Sequence, residues 1–348
     1  MNQNENSYSE IFKNKRIIEL NENLNIPLFG LDFIGIIDRG TNLLEIKPIN
    51  LCNLQCKYCF VKCGSYNYNF TINHNYLIDW LKKVIDIKPT NDIEIHIAPY
   101  GEFFLYPQFL DLIKLIRSLS KVKIISIQTN GILLNENLIK EIEKAGCSRL
   151  NISFNSLDEN LAKFLSNNPN YSVSKILNIF DKVLRSKMEL LIAPIWFFGL
   201  NDIEIIKIIE LVKNYEKYDF KWPKLRLGIQ NYLIYKTGRK LKKIKQRDFS
   251  YFYYRLQILE KKFNIKLKLG PLDFGIHPSV PIKPPLEYNQ KINVSVVLPG
   301  RFKNEYIGKY NDLWAVKIIS NHPLKIGSVI SGVIIKSKTN ENLITIKT

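Results

Sequence analysis

No stretch of this chain runs apolar for the roughly 20 residues that a bilayer-crossing helix requires, because charge interrupts every hydrophobic run. Residues 1–16 also lack the apolar core of a secretory signal. These absences predict a cytoplasmic protein with no membrane partner. Cysteine is scarce: five in 348 residues, an odd number, with three crowded into eight positions. That pattern excludes a secreted disulfide framework. Acid is scarce as well, with 32 Asp+Glu against 50 Lys+Arg and a net charge of +18. What is present is core material. At 46% hydrophobic and 12% aromatic, the chain has the composition of a folded protein, and its length admits one large domain plus a smaller one.

The acid deficit is local. Residues 1–220 hold 25 basic and 25 acidic side chains, whereas residues 221–348 hold 25 and 7. From Lys221 to Arg247 there are ten basic residues and no acid. Compositional drift toward lysine would have raised both parts, so the second part reads as a face for a polyanion. Its candidate contacts are Arg239, Lys240, Lys242, Lys243, Lys245 and Arg247, joined further on by Arg301 and Lys303. Tyr232 and Tyr235 lie beside this run and are candidates for stacking on bases.

Period-2 and period-3.6 patterns alternate along the middle of the chain. Strands are expected near residues 43–49, 93–98, 122–128, 149–154, 190–196 and 225–230. Helices are expected near 75–87, 108–119, 136–145, 158–165, 173–187, 203–218 and 249–263. Six strands alternating with helices require a parallel sheet with helical crossovers. Functional residues then belong at the carboxyl ends of the strands. Prolines from Pro271 to Pro285 mark a stiff linker. Short strands follow near 292–298, 314–319, 328–336 and 343–347, the pattern of a small barrel. The expected division is an N-terminal extension over 1–40, an α/β domain over 41–270, a linker over 271–288 and an all-β domain over 289–348.

The densest chemistry lies in Cys52-Asn53-Leu54-Gln55-Cys56-Lys57-Tyr58-Cys59. Three thiolates at this spacing suit a soft metal centre. Zinc would take Cys63 as a fourth ligand. An iron–sulfur cube held by three cysteines would keep one iron open. Spacing alone leaves both readings standing. Cys63 otherwise reads as a bystander thiol, and Cys147 and His96 as core residues. His277 falls in the linker, and the aromatic run from Phe249 to Tyr254 reads as helix packing.

The cysteine motif, with an aromatic residue before its third cysteine, resembles the radical S-adenosylmethionine (radical SAM) superfamily. Pro99-Tyr100-Gly101-Glu102 resembles that family's Gly-Gly-Glu element, although one glycine is lost and Phe103 replaces the usual proline. Gln128-Thr129-Asn130-Gly131 and Asn151-Ile152-Ser153-Phe154-Asn155-Ser156 end the third and fourth strands, as in many members. The resemblance covers about residues 40–270 and implies a partial (β/α)6 TIM-like barrel. It implies that Cys52, Cys56 and Cys59 hold a [4Fe–4S] cluster whose open iron chelates S-adenosylmethionine. A low-potential electron donor protein would then drive cleavage to a 5′-deoxyadenosyl radical, which removes hydrogen from an unactivated C–H bond. By the same resemblance, Gly101 and Glu102 meet the methionine amino group and Tyr58 lies near the adenine. Asn130, Ser153 and Asn155 border the nucleoside, and Gln230 faces adenosine or substrate.

Residues 289–348 resemble the OB-like TRAM domains of tRNA-modifying enzymes, with Lys303, Lys309, Lys336 and Lys338 as basic contacts for an RNA backbone. Only Cys63 and Cys147 remain outside the motif, too few for the second cluster of a methylthiotransferase. The expectation is therefore a single-cluster enzyme acting on RNA, above all tRNA, with methylation of a hypermodified anticodon-loop nucleoside as one outcome. Two competitors stand beside it. One is a radical SAM enzyme that modifies an acidic protein partner. The other is a non-catalytic RNA-binding protein with zinc on Cys52, Cys56, Cys59 and Cys63.

Overall fold

Short β-branched runs separated by amphipathic helices build most of this chain. Its computed structural model describes residues 15–221, 223–336 and 342–348. Residues 1–14 of the expected extension, Trp222 in the basic run and Lys338 lie outside the described residues. In chain order the first half carries β1 (Ile17–Leu20), β2 (Gly35–Asp38), β3 (Leu43–Lys47), β4 (Asn69–Ile72), α1 (His74–Ile87), β5 (Ile93–Ile97), α2 (Phe109–Arg117) and β6 (Val122–Thr129). Then follow α3 (Glu136–Ala145), β7 (Arg149–Ile152), α4 (Glu159–Ser166), α5 (Val173–Arg185), β8 (Glu189–Ile192), β9 (Ile195–Trp196), α6 (Asp202–Glu216), β10 (Leu225–Leu227), β11 (Gln230–Asn231) and α7 (Phe249–Phe263). The six expected strands are β3, β5, β6, β7, β8 and β10. They stand in chain order in one seven-stranded sheet, with β2 antiparallel to β3 at its edge. This is the partial (β/α)6 TIM-like architecture implied by the sequence.

Local chemistry sets the helix ends. The α3 helix starts at Asn135, whose side chain accepts from the Leu138 amide at 2.9 Å, a cap worth about 1 kcal/mol over alanine. It stops at Gly146, whose φ of 104° is the left-handed conformation that glycine supplies without steric cost. Between these signals Leu138, Ile139, Ile142 and Ala145 form the buried stripe.

By contacts the chain divides into two compact units, whose boundaries depart from those read in the sequence. One holds residues 1–53, 65–124 and 276–348; the other holds 54–64 and 125–275. The first unit contains the C-terminal strands β12 (Lys291–Pro299), β13 (Glu305–Tyr310), β14 (Trp314–Ile319), β15 (Val329–Lys336) and β16 (Thr345–Lys347). They close a barrel in the order β12-β13-β14-β16-β15, with β14 and β16 parallel. A five-stranded closed barrel is consistent with the OB-like expectation. The barrel strand missed in the sequence is β13. Its Gly308 weakens the strand signal, yet a Cβ there would lie 2.6 Å from Ile318.

Residues 15–40 are not a peripheral extension. The β1 strand pairs in parallel with β4, and all four residues of β2 are buried. The C-terminal barrel is sewn onto this region. The Ala315 amide donates to the Phe29 carbonyl at 2.7 Å, and the Ile344 amide to that of Gly30 at 2.8 Å. A Cβ on Gly30 would meet the Ala315 oxygen at 1.7 Å, so only glycine permits this approach. Asn342 covers the edge of β2: its Oδ1 accepts from the Asp38 amide at 3.0 Å and its Nδ2 donates to the Ile36 carbonyl at 2.8 Å.

The proline-rich passage is likewise no free spacer. Asn42 and His277 exchange hydrogen bonds of 3.0 and 2.9 Å, and the Ser279 amide reaches the Gly40 carbonyl at 2.9 Å. Beneath them lies a buried ion pair, Lys88–Asp38, at 2.8 Å. Lys88 also donates to the carbonyl oxygens of Thr41 and Val280, and Asp38 accepts from the Gly40 and Ile282 amides. Prolines fix the backbone here, but hydrogen bonds fix its position.

Candidate active site

The cysteine motif occupies the loop that leaves β3. Cys52, Cys56 and Cys59 are uncrosslinked and half-buried, and Cys63 is buried at 2% exposure. Within the second unit, Arg239 holds this loop from behind. Its Nε donates to the Cys56 carbonyl at 2.7 Å, its Nη1 to the Cys63 carbonyl at 2.9 Å, and its own amide to the Cys59 carbonyl at 2.8 Å. Gly238 lets the strands of chain touch, since a Cβ there would sit 2.6 Å from the Phe60 oxygen. The Lys57 amide is anchored on the Leu165 carbonyl at 2.9 Å. Accessible soft donors on a loop braced through its carbonyls fit the donor set of an iron–sulfur centre. Among the described residues, no three Cys, His, Asp or Glu side chains gather closely enough for a single metal ion.

Tyr58 points its hydroxyl at Asn155, whose Nδ2 donates to it at 2.6 Å, and its ring lies 4.9 Å from that of Phe197. Desolvation first, and the neighbouring Cys56 sulfur second, push the Tyr58 phenol well above its ordinary value, so it stays protonated. The other end of the Asn155 amide accepts from the Ile195 N–H at 2.8 Å. Asn155, expected at a ribose, therefore has a positioning task that orients Tyr58. Ser153 accepts from Gln128 at 3.1 Å, and Asn130 shapes its own turn by accepting from the Ile132 amide at 3.0 Å. Gln230, expected to close the sixth strand, instead lies three residues beyond β10 and opens β11, where it is exposed.

In the first unit, Gly101 is the retained glycine for a steric reason. A Cβ would lie 2.0 Å from the Leu51 carbonyl, which directly precedes Cys52 and accepts from the Glu102 amide at 2.7 Å. Glu102 is 1% exposed, and its carboxylate accepts from the Phe104 amide at 3.2 Å. His96 stands opposite Glu45 in the β3–β5 register, and His277 pairs with Asp92 at 2.9 Å. Cys147 is a core residue, with its sulfur 3.6 Å from the Arg149 carbonyl.

Three expected RNA contacts need correction. Arg239 turns inward to the cysteine loop. Arg301 is 6% exposed and forks onto Glu305 at 2.8 and 2.9 Å while its guanidinium covers Phe33, so it is a buried structural ion. Tyr232 is 2% exposed, and its hydroxyl accepts from the Leu241 amide at 3.0 Å. In contrast, Lys240, Lys242, Lys243, Lys245, Arg247 and Lys303 are exposed, while Lys309 is paired with Asp312 at 2.7 Å. The aromatic run on α7 buries Phe252 but leaves Phe249, Tyr253 and Tyr254 exposed.

Two residues near the site were not singled out from the sequence. Phe60, 45% exposed directly after Cys59, carries no local signal beyond being aromatic. Glu204 on α6 is buried and accepts from the Leu157 and Asp158 amides at 2.7 and 2.8 Å, bracing the loop after β7. Nothing in its helical context announces that carboxylate as an anchor.

The model of the Radical SAM superfamily matches residues 46–212. An uncharacterised protein of Methanocaldococcus jannaschii is 36% identical over 358 aligned residues, covering 96% of this chain and 81% of the relative. A GTP 3′,8-cyclase of Campylobacter jejuni subsp. doylei is 28% identical over 67% of this chain and 68% of its own. Among solved structures, Streptococcus suis SuiB bound to S-adenosylmethionine superposes with a TM-score of 0.51 at 19% identity, over 70% of this chain and 49% of that one. The chain thus spans about half the length of that structural neighbour, and the likeness is one of fold.

Proposed function

The chain belongs to the radical SAM superfamily, whose members work with a [4Fe–4S] cluster and S-adenosylmethionine, and from that premise we propose that it modifies an unactivated carbon of RNA, above all tRNA. Cys52, Cys56 and Cys59 would hold the cluster, leaving one iron for S-adenosylmethionine. That pair supplies reductive cleavage of a sulfonium bond and, through it, hydrogen abstraction. The residues of this chain brace the site. Arg239 fixes the carbonyls of the cysteine loop, and Asn155 sets the Tyr58 hydroxyl. Gly101 lets the end of β5 approach Leu51.

The observation that carries the RNA reading is the attachment of the acid-free run from Lys236 to Arg247 to the cysteine loop through Gly238 and Arg239. Exposed lysines are thereby held beside the metal ligands, where a polyanionic substrate is needed. Methyl transfer to a modified anticodon-loop nucleoside is one product consistent with this arrangement. The test is a comparison, by mass, of tRNA nucleosides from cells with and without the protein. Loss of one modified nucleoside supports the reading, and an unchanged set refutes it. Substituting Cys56→Ala should abolish S-adenosylmethionine cleavage while leaving RNA affinity in place.

A second reading follows from the similarity to a GTP 3′,8-cyclase. The same lysines would then hold the phosphates of a free nucleotide, and nucleoside triphosphate would compete with RNA at equal charge.

A further inference from the structure

Two exposed aromatic rings lie side by side next to the third cysteine. Phe60 is 45% exposed and Tyr235 is 51% exposed, with ring centroids 5.7 Å apart and planes inclined at 50°. Single exposed aromatics are ordinary on a protein surface. This pair differs in three ways. Both backbones are pinned, by the close Gly238–Phe60 approach and by the Arg239–Cys59 hydrogen bond of 2.8 Å. Neither contributing segment, 54–64 or 234–247, contains an acid, and each carries an exposed lysine within two residues of its ring, Lys62 after Phe60 and Lys236 after Tyr235. And Phe60 is the direct neighbour of a cluster ligand.

We propose that Phe60 and Tyr235 form a platform on which an unpaired base of the nucleic-acid substrate stacks, anchoring the strand beside the cysteine loop. The inference rests on the RNA reading above and narrows it to single-stranded or loop RNA. Every base has an apolar face that an aromatic ring can cover, whereas a duplex keeps those faces stacked inside. The lysines alone would suit any polyanion. Two neighbouring rings in water, held rigidly among those lysines, suit a polyanion that also offers flat apolar faces. An acidic peptide lacks that feature.

The experiment uses the whole reconstituted protein, a 12-nucleotide single-stranded RNA, a blunt duplex with equal phosphate count, and polyglutamate as competitor. The wild type should prefer the single strand. Removing one ring by Tyr235→Ala should weaken that binding roughly tenfold, and Tyr235→Phe should restore it. Iron content, visible spectrum and the salt dependence of binding should stay as in the wild type, because no charge changes. Tyr254→Ala, an exposed ring on α7, should have no effect. Equal single-strand affinity for wild type and Tyr235→Ala overturns the platform and leaves the RNA reading intact. So does displacement by polyglutamate as effective as by RNA. Absence of binding to either RNA by the wild type overturns the RNA reading itself.

Discussion

Replacing Arg239 tests how the cysteine loop is held. Its side chain makes two charge-assisted hydrogen bonds, to the Cys56 carbonyl at 2.7 Å and the Cys63 carbonyl at 2.9 Å. Bonds to charged donors contribute about 1.5–3 kcal/mol each. The arginine is half-buried, and one side chain carries both bonds, so they do not add fully. A combined loss of about 3 kcal/mol for Arg239→Ala follows, which is a factor of roughly a hundred in the population of the closed loop. Lysine offers one compact ammonium in place of a planar fork and should recover one carbonyl, about half of that energy. The backbone bond from residue 239 to Cys59 survives both changes, so the loss is confined to the loop. The assay is anaerobic reconstitution, followed by iron and sulfide per chain and by the rate at which a chelator strips the iron. Release should quicken in the order wild type, Arg239→Lys, Arg239→Ala, with thermal melting of the whole protein little altered. An Arg239→Ala protein that keeps its iron like the wild type would falsify the clamp.

Gly101→Ala should also impair iron retention. Its new Cβ would fall 2.0 Å from the Leu51 carbonyl, and an overpacking cost of about 1–3 kcal/mol would displace the chain entering Cys52; a fully loaded variant would refute this. Lys88→Ala should destabilise the protein by about 3–5 kcal/mol, because it strands Asp38 as an unpaired buried charge. Denaturant unfolding measures that loss, and Lys88→Met with Asp38→Asn together should recover part of it. Asp32 supplies a pH dependence. Burial would raise its carboxyl, but Lys317 at 2.7 Å and Arg301 outweigh burial and hold it below the ordinary range. A depressed folded value means stability that is present above about pH 4 and lost as pH falls further. Melting temperatures from pH 6 to pH 3 should fall less steeply for Asp32→Asn than for the wild type, and parallel curves would refute the assignment.

The alternating half of the fold was legible because each strand and helix carries its own period. The six expected sheet strands and the seven expected helices lie where those periods place them, but the runs expected over 190–196 and 225–230 each break, and Ile195–Trp196 pairs with Gln230–Asn231 in a separate two-stranded sheet. What escaped notice depends on contacts between distant residues. The β2 strand is four residues long and buried throughout, so it shows no alternation to detect. The β13 strand hides behind Gly308, whose missing side chain serves a neighbour 10 positions away, Ile318. At the site, residue type and spacing exposed the cysteines, whereas charge alone could not give the direction of an arginine. Arg239 and Arg301 count as positive in any composition, yet one faces backbone carbonyls and the other faces Glu305. The spacing of Arg301 and Glu305, four apart, was the one available hint of pairing.

The Asn342 amide that covers the edge of β2 has a consequence for synthesis of the chain. The two partners are separated by 304 positions, so at ordinary elongation speeds a ribosome needs roughly 15–60 s to deliver the cover after the strand. Throughout that interval β2, with three apolar or glycine residues in four, has its Ile36 amide held by Leu28 but leaves the Ile36 carbonyl and the Asp38 amide without the Asn342 cover, open to a passing strand. The first part of the molecule is therefore a nascent chain that must wait. Slow translation or missing chaperone capacity should divert it to aggregates, while the finished protein, with the edge closed, should be insensitive to either.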